Sequence, residues 1–209
     1  MSSEIENNEN IKSCIILCGG QSRRMGRDKG SMIIQNEPMI KHILSTLNHQ
    51  INEAIIVLND KDRIDKYGKF INPQDYSYTI TFLEDEIKNK GPMPGIMTGL
   101  SKIKSNYALV LPCDSPYVSK NYIQTIFSEI EENSQAIVPY HDENNKLKTS
   151  EPLHSIYNKN VIPKIEKLVN EDVLHIKGLI EKIDAKFVLI DNKKIEKKEF
   201  RNLNRPEDI

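Results

Sequence analysis

The sequence has no tryptophan and only three cysteines among its 209 residues. Cys14, Cys18 and Cys113 show no Cys-x-x-Cys spacing, so the sequence predicts neither a disulfide framework nor a zinc site. We expect all three to be reduced thiols in or near the core of a cytoplasmic protein. The five histidines are scattered, so none is predicted to bind a metal.

Long hydrophobic runs and a basic excess are absent too. The longest apolar stretches, such as residues 54–58, have five residues, far fewer than the roughly 18 that a membrane helix needs. Lys and Arg number 29, and Asp and Glu number 30. This balance argues against a partner that is a nucleic acid or a membrane surface.

The first ten residues, MSSEIENNEN, contain three acids and no base, which is unlike a signal peptide. Because they have almost nothing apolar to bury, we expect residues 1–11 to form a disordered tail. Residues 12–209 are numerous enough to bury a core, and we expect them to form a single domain.

Short apolar runs alternate with stretches of helical periodicity along the rest of the chain. This alternation is typical of strand–helix–strand units, and it predicts a three-layer, doubly wound α/β fold with a mostly parallel sheet. Strands are predicted at residues 14–17, 54–58, 79–83, 107–111, 136–140, 153–157 and 187–190, and residues 32–34 form a short apolar piece.

Helices are predicted where apolar residues recur at a spacing of three or four. The stripes are residues 40, 43, 44 and 47; 96, 100 and 103; 123, 126, 127 and 130; 161, 165, 168 and 169; and 176, 179, 180 and 183. Pro38 can open the first helix, and Ser119 is a suitable N-cap for the third. We expect residues 141–150 to form a polar loop or lid and residues 193–201 a solvated face.

The strongest functional signal is the glycine-rich segment LCGGQSRRMGRDKG, residues 17–30, directly after the first strand. Ligands of open parallel sheets bind at the carboxyl ends of strands. Gly19 and Gly20 allow close backbone approach, and successive backbone N–H groups can cradle an anion. The loop also carries cations of the kind that a triphosphate requires: Arg23, Arg24, Arg27 and Lys29.

Two other phosphate-binding patterns do not fit this loop. The P-loop requires Lys directly after its last Gly, whereas Arg27 follows Gly26. The dinucleotide fingerprint requires G-x-G-x-x-G, which the glycine spacing here does not match. P-loop NTPases and NAD-dependent oxidoreductases are therefore disfavoured, and a basic surface loop with turn glycines stays open for this segment taken alone.

Two acidic residues follow other predicted strands. Asp114 follows the strand at residues 107–111, within LPCDSP, and Mg²⁺ typically takes one or two carboxylates together with phosphate oxygens. Asp85 lies just past the strand at residues 79–83, ahead of a GPMPG turn where the backbone could approach a base or ribose. Taken alone, Asp114 could also cap a turn, and GPMPG could be a plain strand–helix connector.

Together and in this order, these segments resemble the molybdenum cofactor guanylyltransferase family. The loop is similar to that family's LAGGxSxRMGxDKG signature, with Cys18 where Ala is usual. GPMPG resembles its GPLAG turn, LPCDSPYVS its PCDxPxxP segment, and FRNLNRPEDI its closing FxNxNTPED segment, with Arg205 in place of Thr. The likeness covers nearly the whole chain beyond residue 12 and implies a Rossmann-type fold like that of nucleotide-diphospho-sugar transferases.

The resemblance implies roles for individual residues. Lys29 would lie on the phosphates with Arg23 and Arg24 as further catalytic cations, and Asp114 would be catalytic as the Mg²⁺ ligand. Asn59 would contact the base or ribose, with Leu58 as the alternative if the alignment shifts by one residue. The implied nucleotide-binding residues are Leu17, Cys18, Gly19, Gly20, Lys29, Asn59, Asp85 and Asp114, and those on the pterin side are Asn202 and Asn204.

The implied reaction joins GMP, from GTP, to the terminal phosphate of molybdopterin and releases pyrophosphate. GTP, molybdopterin and other proteins of molybdenum cofactor biosynthesis are the implied partners. A molybdopterin cytidylyltransferase, or another NTP:phosphate nucleotidylyltransferase, would keep the loop and Asp114, although the double glycine favours guanylyl transfer. A non-catalytic GTP-binding protein on the same fold is the alternative of another class, since fold alone does not determine function.

Overall fold

The computed structural model describes residues 11–19, 28–88, 90–191 and 195–203. Residues 1–10 lie outside these ranges, so the disordered tail stays a prediction. The strands of the described residues are β1 (Ser13–Leu17), β2 (Ile33–Ile34), β3 (Glu37–Pro38), β4 (Glu53–Leu58), β5 (Thr79–Glu84), β6 (Tyr107–Pro112), β7 (Ala136–Tyr140), β8 (Ile156–Asn158) and β9 (Ala185–Leu189).

One seven-stranded sheet forms the middle of the fold. Its strand order is β5-β4-β1-β6-β8-β7-β9, and β2 and β3 form a separate hairpin. Every neighbouring pair in the large sheet is parallel except the two that involve β8. The predicted mostly parallel sheet is therefore confirmed.

The central strands are buried on both faces. Every residue of β1 and β4 is buried, which agrees with their apolar sequences after the first residues, Ser13 and Glu53. Leu17, the last residue of β1, is in register with Val57 of β4 and with Pro112 of β6. The carboxyl ends of these three strands are therefore level with one another at one edge of the sheet.

Helices cover both faces of the sheet, as the three-layer prediction requires. Side chains from α1, α2 and α4 pack into one apolar cluster with Cys14 and Ile16 of β1. Side chains from α3, α5 and α6 pack into another with Ile15 and Leu17, because successive strand residues face opposite ways. The helices of the described residues are α1 (Met39–Leu47), α2 (Lys61–Phe70), α3 (Met93–Leu100), α4 (Lys120–Ser128), α5 (Ile162–Asn170) and α6 (Ile176–Ile180).

Helix α2 is an element that the sequence pattern does not predict. Its sequence, KDRIDKYGKF, is mostly charged, and Tyr67 is its one fully buried side chain. Asp60 caps the helix, because its carboxylate accepts a hydrogen bond from the backbone N–H of Arg63 at 2.8 Å. The cap, the buried Tyr67 ring and the partly buried Ile64 and Phe70 side chains hold α2 against the core.

Three predicted helices end earlier than their apolar stripes. α3, α4 and α6 end at Leu100, Ser128 and Ile180, and the last apolar residue of each stripe packs on the core from the following segment instead. Apolar spacing reports burial, which a connecting segment also achieves. The residues in question are Ile103, Ile130 and Ile183.

Two predictions in the last third of the chain are wrong in part. The strand predicted at residues 153–157 is a 3-10 helix at Pro152–His154 followed by β8, because proline favours a turn over a paired strand. The predicted solvated face at 193–201 contains buried Ile195, Glu199 and Phe200. Residues 141–150 do form a polar loop, which contains the 3-10 helix Glu143–Asn145.

The buried part of the 195–203 segment packs on the body of the protein through Phe200. Its ring lies 5.0 Å from the Tyr122 ring, 4.8 Å from His141 and 5.2 Å from His154, measured between ring centroids. The Glu199 carboxylate accepts a hydrogen bond from the backbone N–H of Ser119 at 3.0 Å. These contacts attach the segment beside the carboxyl end of β6.

Candidate functional site

A cleft of about 590 Å³ opens at the sheet edge where β1, β4, β5 and β6 end. It brings together residues that are separated by up to 185 positions in the chain, from Leu17 to Asn202. The residues predicted from the sequence that line it are Leu17, Cys18, Gly19, Lys29, Asn59, Asp85, Asp114 and Asn202. The predicted residues Gly20, Arg23, Arg24 and Asn204 lie outside the described residues.

Lys29 and Asp114 face each other across this cleft. The Lys29 ammonium lies 2.8 Å from Oδ2 of Asp114, and the two side chains are 24% and 12% exposed. The backbone around Asp114 is held on both sides, since the Cys113 N–H donates to the Leu17 carbonyl at 3.1 Å and the Leu203 N–H donates to the Asp114 carbonyl at 2.8 Å. A cation from the first loop and a carboxylate from the end of β6 therefore share one site.

The backbone of the first loop leaves β1 against the end of β4. The Cys18 N–H donates to the Val57 carbonyl at 2.8 Å. A Cβ atom on Gly19 would lie only 2.7 Å from Oδ1 of Asn59, so glycine is needed here for close approach. Asn59 is half-buried and lines the cleft, whereas Leu58 is fully buried in the core. Of the two positions that the sequence leaves open, only Asn59 reaches the cleft.

Asp85 supplies a shielded carboxylate at the end of β5. It accepts hydrogen bonds at Oδ1 from the Ile87 N–H at 3.3 Å and from the Thr98 hydroxyl at 3.4 Å. Both bonds are long, and burial raises the pKa of the Asp85 carboxyl above its usual value. The Asp85 carboxylate is thus a strong hydrogen-bond acceptor whose bonds within the protein are weak.

The GPMPG turn approaches the same wall of the cleft. Gly91, Pro92 and Gly95 line it, and a Cβ atom on Gly95 would lie 3.0 Å from Cδ2 of Leu17 and 3.5 Å from Oδ2 of Asp85. A side chain at this position would fill space between β1 and β5. Glycine at position 95 therefore leaves the space next to the Asp85 carboxylate unfilled.

The three cysteines, all within the described residues, are buried free thiols, in agreement with the prediction. Cys18 and Cys113 line the floor of the cleft. Burial raises the pKa of the Cys18 thiol, and a hydrogen bond with the Cys113 side chain raises it further. Both effects keep the thiol protonated and disfavour a role for Cys18 as a nucleophile.

Sequence reasoning missed two charged residues that line the cleft, Asp28 and Arg63. Arg63 donates from Nη1 to the Cys18 carbonyl at 3.2 Å, and its Nε lies 3.7 Å from the Asp60 carboxylate. It was missed because helix α2 was not predicted. The available signal was the N-capping Asp60 followed by apolar Ile64 and Tyr67 three residues apart.

The acidic residues of the site are spread out. Within the part of the chain that the structure describes, no three or more His, Cys, Asp or Glu side chains are grouped so as to hold a metal ion. None of the helices in the described ranges is both long and apolar enough to cross a membrane. The cleft contains the Lys29–Asp114 cation–carboxylate pair.

Comparison with known proteins gives consistent matches. Residues 14–186 match the model of the MobA-like NTP transferase domain. The probable molybdenum cofactor guanylyltransferase of Methanothermobacter thermautotrophicus is 32% identical over 202 residues, which cover 95% of this chain and 98% of that protein. The molybdenum cofactor guanylyltransferase of Aliivibrio fischeri strain MJ11 is 29% identical over 94% of this chain and 93% of its own.

Solved structures show the same fold. The molybdopterin-guanine dinucleotide biosynthesis protein A from Archaeoglobus fulgidus superimposes with a TM-score of 0.75 at 22% identity, covering 95% of this chain and 94% of its own. The 4-diphosphocytidyl-2C-methyl-D-erythritol synthase from Anaerococcus prevotii superimposes with a TM-score of 0.69 at 16% identity, covering 95% and 94%. At these identities the two matches show a shared fold, and a fold alone does not determine function.

Proposed function

The chain belongs to the family of MobA-like NTP transferase domains, and from that premise we propose that it is a molybdenum cofactor guanylyltransferase. It transfers GMP from GTP to the terminal phosphate of molybdopterin and releases pyrophosphate. The observation that carries the proposal is the Lys29–Asp114 pair, 2.8 Å apart, in a cleft at the carboxyl ends of four neighbouring strands.

The guanosine part of GTP fits the wall formed by β1, β4 and β5. The amide of Asn59 offers both a donor and an acceptor there, and we propose that the backbone of Leu17, Cys18 and Gly19 contacts the nucleoside. Guanine presents adjacent N–H donors, which a carboxylate accepts as a pair. The weakly satisfied carboxylate of Asp85 is the group in the cleft that suits them.

The phosphates fit on the Lys29 side of the cleft. Two like charges about 4 Å apart repel by about 4 kcal/mol at an effective dielectric constant near 20, so joining two phosphates requires cations between them. Lys29 supplies one, and we propose that Arg23 and Arg24 of the same loop supply others. Positioning and charge neutralisation are the main requirements of phosphoryl-type transfer.

The nucleophile needs no activation by the protein. A phosphate monoester has a second pKa of about 6, so the acceptor oxygen is mostly ionised near neutral pH. It attacks the α-phosphorus of GTP while the bond from that phosphorus to the bridging oxygen breaks, and the electron pair leaves with pyrophosphate. The high pKa of the Cys18 thiol is compatible with this assignment, because the reaction uses no protein nucleophile.

The donor set fits Mg²⁺ as a metal shared with the substrate. Asp114 offers a carboxylate at the cleft, and the absence of a grouped set of ligands among the described residues agrees with an ion that takes few protein oxygens and several phosphate oxygens or waters. Bound there, Mg²⁺ would neutralise charge on the phosphates. Asp114 is the residue that we propose holds it.

The acceptor fits the side of the cleft opposite the nucleoside. Leu153 and Asn202 line that side next to Asp114, and Asn202 is oriented by the Ser115 hydroxyl, which donates to its Oδ1 at 2.5 Å. We propose that Asn202 contacts the pterin substrate. Asn204, in the same segment, keeps this role as a prediction.

A pyrophosphate-release assay tests the proposal directly. The protein is supplied with molybdopterin, Mg²⁺ and either GTP, CTP or UTP, and Asp114→Asn is the matched variant. We expect pyrophosphate with GTP, and at least a hundredfold less with CTP or with Asp114→Asn. Release with CTP instead would indicate a cytidylyltransferase, and GTP binding without release would indicate a non-catalytic GTP-binding protein.

A further inference from the structure

Helix α2 forms hydrogen bonds with the turn that carries Lys29. The Tyr67 hydroxyl donates to Oδ1 of Asp28 at 2.9 Å. The Lys66 ammonium donates to the Ser31 hydroxyl at 2.6 Å and lies 3.4 Å from Oδ2 of Asp28. Lys66 and Tyr67, two successive residues of α2, therefore contact the turn before Lys29, at Asp28, and after it, at Ser31.

Tyr67 is in tight contact with the turn as well as hydrogen-bonded to it. Its side chain is fully buried, and a Cβ atom on Gly30 would lie only 2.3 Å from its hydroxyl oxygen. Burial raises the pKa of the Tyr67 hydroxyl, and the nearby Cys18, Cys113 and Asp28 raise it further. The hydroxyl therefore stays protonated and acts as a donor.

Asp28 depends on this donor. Its side chain is only 9% exposed, whereas that of Lys66 is 50% exposed, and a shielded carboxylate without hydrogen bonds is costly. The ion pair with the exposed Lys66 is weak because water screens it. Tyr67 is thus the stronger of these two contacts with Asp28, and Asp28 precedes Lys29 directly in the chain.

We propose that Tyr67 is a positioning residue for nucleotidyl transfer. Its hydroxyl holds Asp28, and through Asp28 it holds the turn that aims the Lys29 ammonium at the phosphate side of the cleft. The inference rests on the phosphate-binding role proposed for Lys29. Tyr67 is not among the residues that line the cleft, so its proposed effect is indirect.

The test is a double-mutant cycle between Tyr67→Phe and Lys29→Met, with turnover and the GTP dissociation constant measured for each variant. We expect Tyr67→Phe to lower kcat about tenfold, and to have no further effect on GTP binding or turnover when Lys29 is already replaced. Non-additivity of this kind is the signature of two residues that act as one unit.

Tyr78→Phe is the matched control. Tyr78 is buried in the same apolar cluster. Its hydroxyl donates to the Leu44 carbonyl at 2.8 Å and not to the turn that carries Lys29. We expect this variant to lose a similar amount of thermal stability and to keep wild-type kcat. Should Tyr67→Phe fail to fold, Asp28→Asn tests the same contact from its acceptor side.

The outcomes separate this inference from the proposed function. If Lys29→Met transfers GMP at the wild-type rate, the role proposed for Lys29 is wrong. If Lys29→Met is inactive but Tyr67→Phe matches the wild type, only the positioning role fails. Additive losses in the cycle, or an equal loss of kcat in Tyr78→Phe, would show that Tyr67 acts on the fold in general.

Discussion

Some of the cleft residues stand out in the sequence because they lie at or just beyond the end of a strand, although it is the family resemblance that implies their roles. Asn59 and Asp85 directly follow β4 and β5, and Asp114 lies two residues past the end of β6; parallel strands bring such positions to one edge. Arg63 and Asp28 could not be recognised in this way. Arg63 lies on α2, whose mostly charged sequence gives only the weak signal of Ile64 and Tyr67 three residues apart. Asp28 lies within the glycine-rich segment, where no strand end marks it.

At Asp85, stability and binding oppose each other. Burial raises the pKa of this carboxyl in the folded protein, so its contribution to stability is greatest below the unfolded pKa of about 3.9 and is lost as the pH rises through the raised value. We expect Asp85→Asn to raise Tm at pH 7 by about 2–4 °C, which corresponds to about 1 kcal/mol for a domain of this size.

The same substitution should weaken GTP binding, because an amide cannot accept both guanine N–H groups. Thermal unfolding between pH 4 and pH 8 and GTP titration check the two effects, with the exposed Asp65→Asn as the control. A gain in Tm that did not shrink toward pH 4, or unchanged GTP affinity, would contradict this assignment.

At Gly19, a single methyl group should separate binding from folding. A Cβ atom there would lie 2.7 Å from Oδ1 of Asn59, and the amide can rotate away from it at little cost in stability. We therefore expect Gly19→Ala to raise the KM for GTP at least fivefold with Tm nearly unchanged. Gly68→Ala on α2 is the control, since a Cβ atom there meets nothing within 4 Å; it should leave KM unchanged.

Among the secondary-structure elements, those with a continuous apolar signal could be predicted from the sequence. β1 and β4 are apolar after their first residues, Ser13 and Glu53, and α1 buries the four residues of its predicted stripe. The 195–203 segment could not be predicted, because its charged residues conceal a few buried anchors. Glu199 and Phe200 are buried by contacts with distant parts of the chain, which local sequence does not report.

Phe200 should therefore be an anchor for the whole 195–203 segment. Truncation of a buried aromatic side chain typically costs about 3–5 kcal/mol, so we expect Phe200→Ala to lower Tm by about 6–20 °C. Because the segment carries Asn202 and donates from the Leu203 N–H to the Asp114 carbonyl, the KM for molybdopterin should rise as well. Leu189→Ala, at a residue 45% exposed, is the control; an equal loss of Tm there would refute the anchor.

For the whole molecule, the sequence predicts the fold class but not the strand order. The pairing of β6 with β8, and of β7 with both β8 and β9, depends on long-range contacts, and the antiparallel direction of β8 has no local signature. One sheet takes strands from both ends of the chain, from β1 to β9. We infer from this that residues 12–209 form a single domain.

The contact between Lys29 and Asp114 has a thermodynamic consequence. A divalent ion that binds Asp114 must displace the Lys29 ammonium. A triphosphate that binds Lys29 must likewise displace the Asp114 carboxylate. When both ligands bind, Lys29 pairs with the triphosphate and Asp114 pairs with the ion. Nucleotide and ion should therefore bind with positive cooperativity, and by linkage each should raise the affinity for the other by the same factor.

Electron paramagnetic resonance of Mn²⁺ makes this coupling measurable without turnover. We expect Mn²⁺ alone to bind weakly to the wild type, and several-fold more tightly to Lys29→Met, in which the competing cation is gone. If the variant binds the bare ion no better than the wild type does, the two charges are independent neighbours. If it does bind better, Lys29 lowers the affinity of Asp114 for free cations in the absence of nucleotide, and a bound triphosphate removes this competition by pairing with Lys29.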